Sequence, residues 1–455
     1  MEIKIKDRYN RYSDYPDDSL KRLAQEVKKS PWRAQIHVEP ETGLLNDPNG
    51  FSYFNGRFHL WYQHFPYGPV HGLKSWTHVV STDAVHWRAD GLVLLPDTVY
   101  ESHGAYSGSA LVKDAHLFLM YTGNHREEDG TRIPYQLGAR LDAAGNLVKM
   151  KAPLIEKPTD VSEHFRDPML FRQDAKLYAL IGAQDLSGHG KIKLYRNAAD
   201  LWEEVGDLDF GHVASEYMVE CPNLAFVDGH VVLIFCPQEL AQTDLEYQTI
   251  FPNAVVVSDG FDAANGRLKN PSALTLLDAG FDCYATQIMQ DENGAVFAVS
   301  WLGLPDVAYP TDDYGYQGAL SLVKRLSVKN GKLYQYPLVM RGQEIHDFAR
   351  EKTYELELVG TGELSVLGGA LKISVSADKV VIDRSGAEFQ FDVAHGATRT
   401  ISVSAQKVNI FIDCSIFEIF INDGEKVASG RVFPGREQTG VACSSTLHVQ
   451  GWELL

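Results

Sequence analysis

The chain has 455 residues, 44% hydrophobic and 22% charged, which is the make-up of a globular protein too long for one ordinary core, so two domains are expected. Its formal charge of −18 argues against nucleic acid or an anionic membrane as partner, and any anionic ligand would need a local basic pocket. Five cysteines without CxxC spacing, no apolar leader in "MEIKIKDRYNRYSDYPDD", and no stretch long and apolar enough to span a bilayer predict a reduced, cytoplasmic protein.

In chain order, "DDSLKRLAQEVKKSP" predicts a helix. Leu20, Leu23, Ala24 and Val27 share one face, Asp17, Asp18 or Ser19 can cap it, and Pro31 ends it. Residues 1–31 are therefore read as an N-terminal helical extension with no chemistry. After Pro31, short runs rich in Val, Phe, Tyr and Leu alternate with Gly, Asp and Asn, a β pattern. Five of them share one form, Asn or Asp followed by Gly or Ala and then an alternating strand: "NGRFHLWYQ", "DAHLFLMYT", "DAKLYALIG", "DGHVVLIFC" and "NGAVFAVSW". They start at 55, 114, 174, 228 and 293, a spacing of 59, 60, 54 and 65 residues. A β unit of that length repeated five times predicts a five-bladed propeller over residues 32–335, whereas a sandwich would show hairpins at shorter spacing and no long period.

The repeat fades after about residue 335. Residues 336–352 read as a linker, and residues 353–455 as a β-sandwich of alternating strands with an Asn422-Asp423-Gly424 turn. The acid and base groups of this last part are few and scattered, which suits structural support. The expected class is all-β: a five-bladed propeller, then a C-terminal sandwich, with a short N-terminal helix.

A short way upstream of each hairpin stand Asp47, Ser107, Asp167, Glu220 and Tyr284. Equivalent positions of a propeller gather round its axis, so residues remote in sequence would converge on one funnel. The three acids have similar settings, "LLNDPNG", "FRDPML" and "MVECPNL", each with a proline close behind that stiffens the chain. A lone Asp-Pro is ordinarily just a turn; three in register with a repeat suggest a shared pocket. Converging carboxylates without metal-ligand histidines suit glycoside hydrolysis, in which one attacks the anomeric carbon and one protonates the leaving oxygen. Trp61, Tyr62, Gln63, Tyr106, Tyr121, Asn124, Asp282, Tyr284 and Trp301, near the same marks, suit a sugar site. No HExxH, zinc-finger or EF-hand pattern occurs, and no metal or cofactor is expected.

"LLNDPNG", "FRDP" and "VECPNL" resemble the three signature motifs of glycoside hydrolase family 32, the invertases and β-fructofuranosidases. "YSGSA", "GFDCYATQ", "SWLGLP" and "FIDCSIFEIFINDG" match as well, so the resemblance covers nearly the whole chain. It implies a propeller followed by a sandwich and a retaining mechanism, with Asp47 as nucleophile, Glu220 as general acid then base, and Asp167, with Arg166, holding fructose hydroxyls. Leu45, Asn46, Gln63, Tyr106, Ser107, Asn124, Asp282, Tyr284 and Trp301 would complete the substrate-binding set. Retention implies two carboxyls about 5–5.5 Å apart.

One segment departs from the broader family. Where many members carry Trp-Gly, this chain has "PVHGLKSWTH", with His71 in the Trp position and Lys74 after it. This resembles the cytoplasmic sucrose-6-phosphate hydrolases. A phosphate on the glucose ring needs cations at the funnel mouth, and His71, Lys74, His103, His125, Arg126 and Arg132 are the candidates. A fructooligosaccharide or fructan hydrolase is the alternative, and a sugar-binding propeller without activity is a further one. The expected partner is a small sugar or sugar phosphate, with the chain a monomer or homodimer.

Overall fold

The computed structural model describes residues 7–212, 217–390 and 396–455; the start of the N-terminal extension and short pieces of the propeller and sandwich spans lie outside them. Five antiparallel sheets follow one another. Blade 1 is Gly43–Phe54, Arg57–Phe65, Ser75–Ser81 and Arg88–Leu94; blade 2 is Ala105–Lys113, His116–Arg126, Arg132–Leu141 and Leu147–Lys149. Blade 3 is Val161–Gln173, Lys176–Asp185, Gly190–Ala198 and Leu201–Asp207; blade 4 is Val219–Val227, His230–Pro237, Ala254–Ser258 and Thr275–Leu276. Blade 5 is Cys283–Gln290, Val296–Leu302, Lys324–Lys329 and Lys332–Pro337. Tyr316–Gln317, beyond the second strand of blade 5, pairs in parallel with Gly43 and Leu44 and so ties the last blade to the first.

The repeated hairpin is a two-residue turn in four blades, closing Phe54 on Arg57, Lys113 on His116, Gln173 on Lys176 and Val227 on His230. Both turn residues have positive φ, for example Asn55 at 50° and Gly56 at 78°, which is the geometry that Asn-Gly and Asp-Gly favour. The fifth unit differs: Asp291 and Ala295 close a wider loop, with Gly294 at φ 84°.

The first strand of every blade is bulged. The register slips between Leu45 and Pro48, Tyr106 and Gly108, Arg166 and Met169, Glu220 and Asn223, and Tyr284 and Gln287. These slips coincide with the five positions upstream of the hairpins. A bulge turns the side chain out of the pleat and re-aims it, which is why acids lie there without breaking the sheet. Below them the axis is nearly filled, leaving a cavity of about 10 Å³ among Pro48, Ser107, Pro168, Pro222 and Ala285.

The C-terminal sandwich packs a six-stranded sheet on a five-stranded one around a core that includes Leu356, Leu371, Ile373, Ile410 and Ile419. The span read as a linker is partly sandwich: Arg341–Glu344 pairs with Leu447–Leu454 as an edge strand. Its polar sequence hid it. Arg341 is held not by apolar alternation but by Glu355, 2.6 Å from its Nε, and by the Trp452 ring 4.3 Å beneath its guanidinium.

The strand Ile416–Ile421 is buried on both faces because its other side meets the propeller. There Glu418 takes Lys324 at 3.0 Å and His37 at 3.1 Å, and His37 also meets Asp413 at 2.9 Å. The helix forms at Ser19–Val27 with only Val27 buried. Asp18 occupies the N-cap position, but its side chain makes no cap; it pairs with Arg22 at 3.2 Å. Leu23 docks on Gly315, where an added Cβ would lie 2.3 Å from it and where φ is +83°, so glycine is required on both counts. Among the described residues no helix is long and apolar enough to cross a membrane, and the five cysteines are free thiols.

Candidate active site

Asp47, from the bulge of blade 1, is gripped on both oxygens. Asn46 Nδ2 donates to Oδ1 at 2.9 Å, Gln63 Nε2 donates to Oδ2 at 3.0 Å, and the Ser107 hydroxyl from blade 2 also donates to Oδ2. Asn49, two residues on, braces the turn: its Nδ2 bonds the Asp47 carbonyl at 2.8 Å and its Oδ1 accepts from the Gly108 amide at 2.9 Å. Burial pushes the Asp47 carboxyl up from its ordinary value. Bonds from Ser107 and Asn46 pull it down, the Glu220 charge adds to the rise, and Lys74 opposes it.

Asp167 sits in the bulge of blade 3 at φ 65°, with its amide bonded to Thr122 Oγ1 at 3.1 Å. Its Oδ2 accepts from the Cys221 amide at 3.1 Å, and the Cys221 sulfur lies 3.7 Å from that oxygen and 4.0 Å from Asp47 Oδ2. Burial raises the Asp167 carboxyl to about 7; the Arg166 charge opposes this, and Glu220 and Asp47 add to it. Glu220 in blade 4 receives three donors: Arg166 Nη2 on Oε1 at 2.7 Å, with Gln238 Nε2 and the Tyr284 hydroxyl on Oε2, each at 2.7 Å. Blades 1, 3 and 4 thus bring their three acids to one place, with blades 2 and 5 supplying Ser107 and Tyr284.

The expected site residues divide. Asn46, Gln63, Ser107, Arg166 and Tyr284 touch the carboxylates. Burial raises the Tyr106 phenol, and the charges of Arg132, Arg166 and Arg126 oppose that rise. Trp301 is 1% exposed, and its indole N–H has no partner among the described residues. Leu45 is fully buried in the core between blades 1 and 5, so its side chain does not reach the funnel. Asn124 is buried and braces a loop, donating to the His103 carbonyl at 3.3 Å.

Asp282 lies elsewhere altogether. It is fully buried against the sandwich, bonded to Arg384 Nη1 at 2.7 Å, the Arg431 amide at 2.8 Å and the Tyr309 hydroxyl at 2.8 Å. It immediately precedes the first strand of blade 5, and its three partners come from the sandwich side and from the segment ahead of Pro310–Tyr314, so its acidity serves the domain interface.

The candidate cations also separate. Lys74 is 2% exposed and its ammonium bonds Asn46 Oδ1, so it stands behind Asp47 rather than at the mouth. Burial lowers it to about 7, against the pull of Asp47. His71 is open to solvent yet set in the funnel wall, its ring 6.3 Å from that of Trp301. Desolvation, with Lys74 and Arg8 nearby, pushes its imidazole below the ordinary value. His103 is likewise lowered, by burial first and then by Arg126, His125 and Arg11. Arg126 and Arg132 stand opposite each other on the second and third strands of blade 2. The Arg132 Nε is buried without a partner among the described residues. His125 joins them through Ser102, whose hydroxyl lies 3.0 Å from its Nδ1.

Sequence reasoning missed Gln238 and His164. Gln238 extends the second strand of blade 4 to reach Glu220 much as Gln63 reaches Asp47 from the second strand of blade 1, so the repeat carried a signal for it. His164 Nδ1 accepts from Arg166 Nη1 at 2.9 Å, so its Nε2 carries the proton and donates to the Tyr217 hydroxyl oxygen at 3.0 Å; its only mark was a place two residues before Arg166.

Residues 37–337 match the glycosyl hydrolases family 32 N-terminal domain and residues 364–452 the glycosyl hydrolases family 32 C-terminal domain. The chain is 49% identical to a sucrose-6-phosphate hydrolase of Streptococcus mutans, over 96% of each protein, and 47% identical to one of Lactococcus lactis over the whole of both. Its structure superposes on the sucrose-6-phosphate hydrolase of Lactobacillus gasseri with a TM-score of 0.95 at 41% identity, covering 100% of this chain and 99% of that one. Against a β-fructofuranosidase of Bombyx mori the TM-score is 0.82 at 26% identity, covering 97% and 99%. With matched domains spanning most of its length and carboxylates converging from blades 1, 3 and 4, the chain belongs to glycoside hydrolase family 32.

Proposed function

We propose that the protein is a retaining β-fructofuranosidase that hydrolyses sucrose 6-phosphate, and sucrose less well, to fructose and glucose 6-phosphate or glucose. The observation that carries this reading is the Asp47 carboxylate, fixed through both oxygens by three side chains beside a second carboxyl, Glu220, that is itself held by three donors. Asp47 attacks the anomeric carbon of the fructosyl unit. Glu220 gives its proton to the glycosidic oxygen, which leaves with the glucosyl part. Glu220 then takes a proton from water, which displaces Asp47 and frees fructose with its configuration retained. Asp167, with Arg166, holds fructose hydroxyls. Preorganised donors of this kind act where charge changes during the reaction.

The phosphate is assigned to Arg126 and Arg132, which stand opposite each other on blade 2. Support comes from the near-half identity to the two bacterial sucrose-6-phosphate hydrolases and from the unpartnered Arg132 Nε. A phosphorylated sugar does not leave the cell unaided, so we place the enzyme in the cytoplasm, acting as a monomer or homodimer. The test is kcat/KM for sucrose 6-phosphate, sucrose and inulin side by side, in the wild type and in Arg132→Gln. Loss of one charged hydrogen bond predicts a KM for the phosphorylated sugar raised about ten- to a hundredfold, with sucrose little changed. Equal KM changes for both sugars would remove Arg132 from the phosphate site, and inulin as the preferred substrate would favour the fructan reading.

A further inference from the structure

The family domain begins at residue 37, yet a segment thirty residues earlier is built into the funnel. Residues 7–15 lie across two loops of the rim. The Leu73 amide donates to the Arg8 carbonyl at 2.7 Å, and the Tyr12 hydroxyl donates to the Leu73 carbonyl at 2.7 Å, so both backbone groups of Leu73 are satisfied by this segment. Arg11 Nη1 reaches the Pro96 carbonyl at 2.9 Å, Tyr67 Oη donates to the Tyr12 carbonyl at 3.1 Å, and the Tyr15 ring stacks on Tyr67 at 3.6 Å.

Leu73 precedes Lys74, whose backbone pairs in parallel with Gly104, and the Ala105 amide bonds the Lys74 carbonyl at 2.9 Å. The loops carrying His71 and His103 are thereby joined, and the N-terminal segment clamps the pair from outside. Gly72 makes this possible, because an added Cβ would lie 2.6 Å from the Arg8 carbonyl oxygen. Tyr9, half-buried, places its ring 5.0 Å from that of His103. An added Cβ at Gly104, the residue after His103, would lie 3.3 Å from the Tyr106 ring, so the loop that Tyr9 meets also packs on Tyr106. Tyr106 is followed at once by Ser107, whose hydroxyl donates to Asp47. Passing outward from Asp47 along this loop are Ser107, Tyr106, Gly104 and His103, the last of which meets Tyr9.

We infer that residues 7–15 are a strap that completes the leaving-group end of the funnel, with Tyr9 lining the glucosyl 6-phosphate subsite beside His103. The inference rests on the proposed sucrose 6-phosphate reading for the identity of that leaving group. An aromatic ring on a sugar face contributes apolar contact that a solvated loop does not, and the Leu73 clamp sets the loops that carry His71 and His103. Tyr9 is a specificity residue and takes no part in bond breaking.

The test is the full chain carrying Tyr9→Ala or Tyr9→Phe, assayed on sucrose 6-phosphate, sucrose and methyl β-fructofuranoside, which shares the fructosyl half and lacks the glucosyl phosphate. Tyr9→Ala is expected to raise KM for sucrose 6-phosphate about three- to tenfold, with kcat kept and both constants for the methyl fructoside unchanged. Tyr9→Phe, which keeps the ring, is expected to match the wild type. Unchanged KM in Tyr9→Ala, or a loss on the methyl fructoside as large as on sucrose 6-phosphate, overturns the inference, since the second result is what loosened folding gives. The two readings fail separately. A wild type with no preference for the phosphorylated sugar overturns the substrate assignment, while the contrast between sucrose and methyl fructoside still decides whether the strap forms the subsite.

Discussion

Lys74→Met separates the phosphate role that sequence suggests for this lysine from the role its packed position gives it. As a phosphate ligand, Lys74 would matter only for the phosphorylated substrate. Where it stands, its ammonium fixes the Asn46 carbonyl oxygen and thereby turns the Asn46 amide nitrogen onto Asp47 Oδ1. Losing a hydrogen bond to a charged donor costs about 1.5–3 kcal/mol. If the transition state alone feels this, kcat/KM falls about ten- to a hundredfold, equally for sucrose and sucrose 6-phosphate. Lys74 is also one of the groups that hold the Asp47 carboxyl down against burial, so its removal moves the acid limb of the kcat/KM profile to higher pH. Burial disfavours the ammonium, lowering it to about 7, so methionine is expected to hold or raise Tm below that pH. The assay is initial rates on both sugars across the acid limb, with a melting curve for each variant. A rate on sucrose equal to wild type with KM raised only for sucrose 6-phosphate would refute this account, as would an acid limb that stays put.

Three further outcomes follow from the geometry. Asp282→Asn breaks a fully buried pair with Arg384 and is expected to cost about 3–5 kcal/mol of stability, seen as a lower Tm with kcat unchanged on the folded enzyme; a normal Tm with lost kcat would return Asp282 to the active site. Tyr284→Phe removes one of three donors on Glu220 and is expected to lower kcat about tenfold with KM nearly constant, and an unchanged kcat would show the contact to be idle. The domain interface should give stability a pH window. Burial would lower His37, but its bonds to Asp413 and Glu418 raise it to about 9, so its contribution is complete below about 6.5 and lost as pH rises through 9. Burial would raise Glu418, but Lys324 and His37 bring it to about 2, so its contribution is complete above about 4.5 and lost as pH falls toward 2. Denaturant melts across pH should therefore peak between about 4.5 and 6.5, and His37→Gln should flatten the alkaline fall; a fall of unchanged steepness in that variant would place its cause elsewhere.

What sequence carried well was whatever local chemistry enforces. Each tight turn opens on Asn or Asp at positive φ, so the hairpins declared themselves and set the blade period, the fifth closing as a wider loop. The acids were found because each blade repeats a bulge at the same place, and residue types there vary where scaffold types do not. What sequence missed depends on direction and depth. Asp282 and Tyr284 are two residues apart, yet one faces the sandwich and the other the acid, because the strand begins between them. Lys74 reads as a surface charge, and only the packed structure shows it behind Asn46. The Arg341–Glu344 edge strand is held by an ion pair and a cation over Trp452, which alternation cannot reveal. Tyr9 meets His103 across more than ninety residues of chain, with no local pattern on either side.

The central claim is that Asp47 forms the covalent bond to fructose. It is tested most directly by acid-quenching the enzyme during turnover of sucrose 6-phosphate and mapping peptides by mass spectrometry. The account predicts a fructosyl adduct on the peptide that contains Asp47, absent in Asp47→Asn. An adduct on another residue, or Asp47→Asn retaining most of the wild-type kcat, would contradict it.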